Sequence, residues 1–428
     1  MNAVTARARA LIEEFKGEAY AFGPGAVASA GRLAARLGRR FLLVVGRSGG
    51  ANGMRDGLRD AFRAAGLAIV DECPGAAPNS PLEDVERVRD RILAVRPDAV
   101  VGLGGGSLID ALKASVALAC LGGRCDDYYG VGRVSARMRA EGKALMPHLA
   151  VMTAAASAAH LTKYANVTDM ATFQKRLLID EALVPCAAIF DYRATATMSP
   201  GFTRIGAFDG ICHLLEVYFG MDPGHALFPR VTEVALTGLE LIVSALPRVL
   251  DDPGSQPMRE AMGLGTDLGG YAIMMGSTNG PHLNSFSLVD LMDHGAATAL
   301  LVPYYTCFFA PAIEEKLRNV GRVYRAHGLL EDGADLDALA GMDLGMAVSG
   351  AMLTMARQAG LPTALNEVDG FGPQHVERML SAAREPGLAS KLAAMPIPMT
   401  AGDVERYMRP LLEASALGDR SLIVPPRT

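Results

Sequence analysis

The chain has 428 residues, a length that exceeds most single hydrophobic cores and favours two domains. Half of the residues are hydrophobic, 20% are charged and the formal net charge is −5 at pH 7, so the composition offers no general attraction for nucleic acid or anionic lipid. Six scattered cysteines without a CxxC pair, and a first stretch of twenty residues without an apolar core, predict a cytoplasmic protein.

Short apolar runs alternate with amphipathic stretches between Leu33 and Leu118. Alternation of strands and helices at this spacing predicts a parallel sheet that is covered on both faces. We predict strands over 41–45, 67–71, 99–102 and 149–152, and helices over 54–65 and 82–95. The polar and irregular segment 122–142 is predicted to be a long loop or excursion.

The pattern changes after about Ser199, where 3.6-residue periodicity dominates and strand-like alternation nearly disappears. We predict helices over 204–219, 231–250, 257–275 and 346–359. The uncharged segment 295–313 is long enough to span a bilayer, but its prolines, its tyrosines and the lack of a basic flank favour a buried helical element. The expected organisation is an α/β domain over 1–199 and an all-helical domain over 200–428, with no membrane partner and no nucleic acid partner.

A run of three glycines ends the predicted strand at 99–102. Gly104, Gly105 and Gly106 are followed by Ser107 and by a helix-compatible pattern. Glycine lets the backbone approach a phosphate without interference from a Cβ atom, and the helix that follows directs free N–H groups at the same anion. The segment therefore predicts a site for a nucleotide pyrophosphate.

Two further segments contain candidate metal ligands. Asp209 and His213 are four residues apart, so on a helix they share one face, although a helical hydrogen bond or surface exposure explains most such pairs. Glu216 continues that face. His282 and His294 follow in a stretch almost free of charge, where composition alone favours core histidines or a helix cap. One carboxylate and three imidazoles would suit Fe²⁺ or Zn²⁺.

These segments occur together, in the same order, in one family. The chain resembles the iron-containing (group III) alcohol dehydrogenases, which are related in fold to glycerol dehydrogenase and dehydroquinate synthase. The resemblance runs from about Phe22 to the C-terminus and is strongest between Val100 and Pro311. The matching segments are Gly104–Ser107 with Asp110 and Lys113 (GGGSxxDxxK), Pro78-Asn79 (PNP), Thr153–Thr162 (TTAGTGSEVT), Asp169 with Lys175 (ITDxxxxxK), Asp209–His213 (GxDALxHAxE) and Asp293-His294-Gly295 (PHG).

The resemblance implies a Rossmann-like dinucleotide-binding domain, an all-helical metal-binding domain and a cofactor cleft between them, as in dehydroquinate synthase. It implies Fe²⁺, or Zn²⁺ as the alternative, on Asp209, His213, His282 and His294. It also implies a homodimer or a larger homo-oligomer. The implied cofactor-binding residues are Gly46, Asn79, Gly104, Gly105, Gly106, Ser107, Asp110, Thr153, Ser157, Thr162 and Lys175.

The chain departs from the family pattern in its histidines. Family members usually carry two histidines four residues apart before the PHG histidine, the first a metal ligand and the second beside the reacting alcohol. This chain has only His282 there, and we assign it as the third imidazole ligand. The usual proton-relay histidine is then absent, and solvent or the nicotinamide ribose hydroxyl would carry the proton instead.

Two loops also depart from the pattern. NAD-preferring relatives often have an aspartate just after the first strand, where this chain has Gly46, followed by Arg47 and Ser48. Loss of a carboxylate and gain of a guanidinium favour tolerance of NADP, or preference for it, unless Arg47 points to solvent. In the alanine-rich segment 153–162, His160 stands where glutamate is common, so backbone contacts would carry more of the cofactor binding there.

The implied activity is the interconversion of a small primary alcohol and its aldehyde, with hydride transfer to or from NAD or NADP and a metal ion acting as a Lewis acid. A Zn²⁺-dependent polyol or glycerol dehydrogenase is one alternative. A metal-free reductase of the maleylacetate type is another, against which the four ligand-type residues argue. A lyase of the dehydroquinate synthase kind, which uses NAD transiently, and a non-catalytic binding protein are the others. The sequence does not identify the alcohol.

Overall fold

A computed structural model describes residues 2–46 and 53–425. The strands of the described residues are β1 (Tyr20–Phe22), β2 (Arg40–Val45), β3 (Ala68–Pro74), β4 (Ala99–Gly104), β5 (Gly130–Val131), β6 (His148–Met152), β7 (Tyr164–Asp169), β8 (Gln174–Ile179) and β9 (Ala187–Phe190). Six of them form one parallel sheet in the order β1-β9-β6-β4-β2-β3, and three form a smaller sheet in the order β5-β8-β7.

Helices cover both faces of the large sheet, which is why its central strands are continuous apolar runs. In β2, Phe41 and Leu43 pack into a cluster on one face together with Phe62, whereas Leu42 and Val44 pack into the cluster on the opposite face. The helices before residue 200 are α1 (Asn2–Lys16), α2 (Ala30–Ala34), α3 (Met54–Ala64), α4 (Leu82–Val95), α5 (Gly106–Leu121) and α6 (Arg133–Glu141).

From Pro200 onwards the described residues are helices and connecting segments. Pro200 occupies the first turn of the first of these helices, and the Ser199 hydroxyl caps it by accepting the backbone N–H of Phe202 at 3.1 Å. The helices are α7 (Pro200–Gly220), α8 (Phe228–Asp251), α9 (Gln256–Met275), α10 (Gly280–Ser285), α11 (His294–Phe309), α12 (Glu314–Ala326), α13 (Gly341–Gln358), α14 (Pro373–Ala383), α15 (Ala389–Ala393) and α16 (Arg409–Leu417).

The N-terminal helix α1 packs against the helical half of the chain rather than against the large sheet. Arg7 pairs with Glu233 of α8, and the ring of Phe15 stacks on Tyr271 of α9 with 4.2 Å between centroids. The sequence patterns did not predict this helix. The proposed boundary between residues 199 and 200 stays a prediction.

The predicted fold class is confirmed: a parallel sheet with helices precedes a largely helical region. The prediction of a long loop over 122–142 is wrong, because α6 occupies Arg133–Glu141 between two glycines with positive φ, Gly132 and Gly142. Only Val134 of this helix is buried, so the segment has no apolar periodicity to reveal it. Among the described residues no helix is both long enough and apolar enough to cross a membrane.

Candidate active site

Three imidazoles surround one carboxylate oxygen where the two halves of the chain meet. Oδ1 of Asp209 lies 3.7 Å from Nε2 of His282, 3.7 Å from Nε2 of His294 and 3.9 Å from Nε2 of His213. Asp209 and His213 are on α7, whereas His282 is on α10 and His294 begins α11. The structure thus brings together the four residues that the sequence proposed as ligands.

Glu216 orients one of these imidazoles. Its Oε1 lies 2.5 Å from Nδ1 of His282, and its Oε2 accepts the backbone N–H of Asn279 at 2.7 Å. A carboxylate at Nδ1 keeps the proton on that nitrogen and leaves the lone pair of Nε2 directed at Asp209. Glu216 therefore leaves Nε2 of His282 available to bind a metal ion.

A serine does the same for a second imidazole. The Ser285 hydroxyl donates to the backbone carbonyl of His282 at 2.8 Å, so its oxygen accepts the proton on Nδ1 of His294, 3.1 Å away. The lone pair of Nε2 in His294 consequently faces Asp209 as well. Ser285 was not identified from the sequence, where its only signal is a position three residues after His282.

Burial and mutual charge set the protonation of the cluster. Burial lowers the pKa of His213 to about 4, and burial together with Lys175 lowers the pKa of His294 well below its ordinary value. Burial would also lower the pKa of His282, but Glu216 and Asp209 outweigh it and raise that pKa. For Asp209, the imidazoles outweigh burial and lower the pKa. His213 and His294 are therefore neutral at pH 7, as metal binding requires.

The donor set fits a divalent metal ion. Oδ1 of Asp209 and Nε2 of His282 are buried and have no hydrogen-bond partner among the described residues. A tetrahedral ion with bonds of about 2.1 Å holds its ligand atoms about 3.4 Å apart, close to the observed spacing. The candidate ligand atoms of Asp209, His282 and His294 all lie within 4.8 Å of one another, and His213 stands slightly farther out.

The glycine run forms the turn between β4 and α5. β4 ends at Gly104, and α5 begins at Gly106. A Cβ atom on Gly106 would meet Oγ of Ser157 at 2.3 Å, so the absence of a side chain there lets the segment after β6 approach the start of α5. That segment is joined to β4 by a hydrogen bond from the N–H of Thr153 to the carbonyl of Gly104 at 3.1 Å.

Two hydroxyls beside this turn have free hydrogen-bonding capacity. Oγ1 of Thr153 and Oγ of Ser157 are buried and lack partners among the described residues. On the other side of the turn, the N–H of Asn79 donates to Oγ of Ser107 at 3.1 Å. Asn79 has a φ of 67°, a left-handed conformation that asparagine tolerates better than most residues. The turn thus lies between two segments that carry predicted cofactor-binding residues.

Asp110 has a structural partner. Its Oδ2 accepts the side-chain amide of Asn166 at 2.8 Å and the backbone N–H of the same residue at 3.1 Å, which ties α5 to β7. Asp110 nevertheless lines a cavity of about 50 Å³ together with the candidate metal ligands. The other predicted residues in the walls of this cavity are Ser157 and Thr162, with Asp209, His213, His282 and His294.

Lys175 on β8 lines a neighbouring cavity of about 410 Å³. Burial lowers the pKa of Lys175 to about 8, against the opposing effect of Asp209, Asp110 and Asp293. Those three carboxylates come from α5, α7 and the start of α11, so Lys175 lies within electrostatic range of both halves of the site. Its assignment to the cofactor stays a prediction.

Gly46 lies apart from Asp209 and the three histidines, in a cavity of about 730 Å³ where β2 and β3 end. Three arginines line this cavity: Arg55, Arg59 and Arg87. Arg55 and Arg59 both pair with Glu72, and Arg87 pairs with Asp84. The sequence interpretation rested on Arg47 and Ser48, which lie outside the described residues, and it missed Arg55 and Arg59 on α3.

His160 does not line the metal cavity. Its Nε2 lies 3.3 Å from Oδ1 of Asp267 and 3.0 Å from the hydroxyl of Tyr20, which donates to Oδ2 of Asp267 at 2.6 Å. The imidazole that replaces the usual glutamate is thus part of a buried network joining β1, the segment after β6 and α9.

A family model described as iron-containing alcohol dehydrogenase matches residues 17–192. An NAD-dependent methanol dehydrogenase from Bacillus methanolicus is 27% identical over 308 residues, 71% of this chain and 78% of the relative. The chain is thus similar to iron-containing alcohol dehydrogenases over its first half and, at lower identity, along most of its length. A 1,3-propanediol dehydrogenase of Citrobacter freundii, a further relative, is 26% identical over 357 residues, 81% of this chain and 86% of the relative.

Solved structures show the same fold along nearly the whole chain. A 1,3-propanediol oxidoreductase superimposes with a TM-score of 0.78 at 22% identity, covering 93% of this chain and 98% of that one. The NADH-dependent butanol dehydrogenase A of Thermotoga maritima gives a TM-score of 0.75 at 23% identity, covering 93% and 96%. The helical half, which the family model does not reach, therefore has the fold of these solved structures.

Proposed function

We propose that this protein is an iron-containing alcohol dehydrogenase that interconverts a small primary alcohol and its aldehyde with a nicotinamide cofactor. The aldehyde, a reduced nicotinamide and a proton become the alcohol and the oxidised nicotinamide. The observation that carries the proposal is the convergence of three imidazole nitrogens on Oδ1 of Asp209, in a cavity that also reaches α5 of the sheet domain.

The proposed metal site consists of Asp209, His213, His282 and His294. A divalent ion supplies Lewis acidity toward an alcohol or carbonyl oxygen, and Fe²⁺ is proposed with Zn²⁺ as the alternative. Glu216 and Ser285 hold two of the imidazoles in the tautomer that can bind. His294 is the most exposed of the four side chains, at 22%, so the substrate side of the cluster is proposed to lie next to it.

The proposed cofactor site lies along the β4–α5 turn. The N–H groups at the start of α5 would bind the pyrophosphate, and the free hydroxyls of Thr153 and Ser157 would bind the portion that points toward the metal cluster. The apolar walls Ile273, Leu177 and Phe286 would exclude water from the reacting atoms. Among the described residues, the histidines that line this cavity are the three candidate ligands. The absence of a relay histidine is consistent with this lining and stays a prediction.

We also propose that the enzyme uses NADP, alone or besides NAD. It is supported by Gly46, which puts no carboxylate at the end of β2 to repel a 2′-phosphate. The carboxylates that do line the adjacent cavity, Glu72 and Asp84, are paired with its arginines. Arg55 and Arg59, on the other wall, are held by Glu72 alone of the described carboxylates, so they could exchange that partner for a phosphate.

Metal content and turnover test the proposal together. Protein purified without oxygen should bind about one divalent ion per chain, and it should oxidise reduced nicotinamide only when an aldehyde is present. Asp209→Asn should abolish both properties, because it removes the one anionic ligand of a buried site. Asp60→Asn, on an exposed residue of α3 that pairs with Arg63, is the matched control and should change neither. Full metal content and activity in Asp209→Asn would refute the metal site.

The same assay separates the proposal from the lyase alternative. A dehydrogenase accumulates reduced nicotinamide in proportion to the alcohol consumed, whereas a lyase of the dehydroquinate synthase kind returns its NAD unchanged.

The assembly of the chain into a homodimer or larger homo-oligomer is also proposed, on the basis of the family resemblance. Sedimentation at several protein concentrations tests it.

A further inference from the structure

One buried cation borders the metal cavity and has no role in the proposed chemistry. Lys391, on α15, is 3% exposed, and it forms part of the wall both of the cavity that holds the candidate ligands and of the neighbouring cavity of about 410 Å³. Leu177 is the other side chain shared by the two cavities. Lys391 therefore stands where a molecule would pass from the larger cavity to the metal cluster.

The hydrogen bonds of Lys391 differ from those of two other buried lysines. Nζ of Lys113 donates to two backbone carbonyls at 2.8 and 2.7 Å, and Nζ of Lys316 donates to two at 2.8 and 2.6 Å. Nζ of Lys391 donates to the hydroxyl of Thr278 at 2.5 Å and makes only a long contact of 3.4 Å with the carbonyl of that residue. Lys113 and Lys316 thus hold the backbone through two short bonds each, whereas Lys391 makes only one short bond and its other two N–H groups have no close acceptor among the described residues.

No carboxylate of the described residues pairs directly with Lys391. Glu216 is the acid that acts on it electrostatically, but both oxygens of Glu216 are engaged by His282 and Asn279. Burial lowers the pKa of Lys391 to about 8, so the ammonium group is still largely protonated at pH 7. A buried charge without a direct partner is costly, and the structure retains one here.

The surroundings favour an anion over a neutral polar group. Nζ of Lys391 lies 5.4 Å from the ring centroid of Phe286, and the ring of His294 stacks on the same phenyl ring with 5.7 Å between centroids. Lys175 adds a second buried cation to the larger cavity. Arg176, in the same wall, is instead occupied by Asp126 at 3.3 Å. The ammonium groups of Lys391 and Lys175 thus have no direct carboxylate partner among the described residues. The carboxylates of the inner cavity are engaged elsewhere, Asp110 by Asn166 and Asp209 by the imidazoles around it.

We propose that Lys391 binds an anionic group on the substrate, so that the preferred substrate is a short aldehyde, or its alcohol, carrying a carboxylate or a sulfonate. This inference rests on the proposed function. The reacting end would lie at Asp209 and His294, and the anionic end at Lys391. Both ends line the same small cavity, so one short molecule would carry both groups.

Steady-state kinetics with two aldehydes tests the inference. Wild-type protein should reduce succinic semialdehyde with a kcat/KM at least tenfold above that for butanal, which has the same carbon chain and no charge. Lys391→Met removes the charge at similar volume and should lower that ratio at least tenfold, mainly through KM for the charged aldehyde. Lys391→Arg should keep more of the preference than Lys391→Met. Lys143→Met, on an exposed lysine that pairs with Glu141, is the control and should leave the ratio unchanged.

Two results would overturn the inference. One is a wild-type protein that prefers butanal, a comparison that needs no variant and so holds even if Lys391→Met does not fold. The other is an equal loss for both aldehydes in Lys391→Met, which would mark Lys391 as a structural residue. Turnover of butanal without a preference for the charged aldehyde would leave the proposed function intact. Turnover of neither aldehyde would refute the proposed function and this inference with it.

Discussion

Oε1 of Glu216 lies 2.5 Å from Nδ1 of His282, on the side of the imidazole away from Asp209. The two residues come from α7 and α10, and the same carboxylate also holds the backbone of Asn279. A carboxylate behind a ligating histidine fixes the ring and its tautomer and raises the basicity of the nitrogen in front. This contact joins α7, which carries Asp209 and His213, to α10, which carries His282.

Removal of the Glu216 charge should therefore weaken metal binding. We expect Glu216→Gln to lower the affinity for Fe²⁺ or Zn²⁺ by about 10- to 100-fold, since the amide cannot hold the imidazole proton as a carboxylate does. Metal titration of chelator-treated protein measures this. Glu240→Gln is a matched control, because Glu240 also contacts a histidine, His327 at 2.8 Å, outside the cleft. Equal affinities in wild type and Glu216→Gln would contradict the orienting role.

Cofactor choice should respond to charge at the end of β2. We expect Gly46→Asp to lower the ratio of kcat/KM for NADP to that for NAD at least tenfold, because a carboxylate there would repel a 2′-phosphate. A Cβ atom at Gly46 would meet Cδ1 of Leu108 at 3.3 Å, so a small shift of that side chain is enough to admit one. Gly46→Asn has the same shape without the charge and serves as the control. A ratio that Gly46→Asp leaves unchanged would count against NADP binding at this site.

The approach of Ser157 to the glycine turn predicts a rescue experiment. Gly106→Ala places a Cβ atom 2.3 Å from Oγ of Ser157, so the turn must shift and nicotinamide binding should weaken at least tenfold. The next atoms, Cβ of Ser157 and of Ala159, would be 3.5 and 3.8 Å away, which is ordinary contact. The loss of affinity caused by Gly106→Ala should therefore be smaller in a Ser157→Ala background than in the wild type, where the hydroxyl proposed to bind the cofactor is also the atom that clashes. Cofactor fluorescence titration tests this, and additive losses would contradict the steric explanation.

A histidine outside the candidate metal site should make the free energy of unfolding depend on pH. Burial lowers the pKa of His148, in β6, to about 4, whereas the unfolded chain titrates at its ordinary value, so the unfolded state binds more protons in between. The free energy of unfolding should then fall as pH decreases, by about 2 kcal/mol between about pH 7 and about pH 5 from this residue. Urea unfolding at both pH values measures the fall. His148→Leu should reduce it, and His225→Leu, on an exposed residue, should not.

Local sequence patterns were sufficient for elements that bury one regular face. The helix predicted over 82–95 is α4 with the same bounds, because Val85, Val88 and Ile92 recur at helical spacing and are all buried. The glycine run was equally clear, since its turn needs backbone without side chains, a requirement visible in the residues themselves. The pairing of Asp209 with His213 is also local, because four residues on a helix place two side chains together.

Long-range packing decided the rest. α6 has one buried residue and so left no periodic signal, and α1 reveals its partner helices only through contacts more than 200 residues away. By itself the sequence determined a parallel α/β region, a glycine turn between a strand and a helix, and a set of ligand-type side chains; phosphate binding at that turn stays a prediction. Only the tertiary structure set Glu216 behind His282 and Lys391 beside the metal cluster, because periodicity specifies which face of a helix is buried but not which residue of another helix meets it.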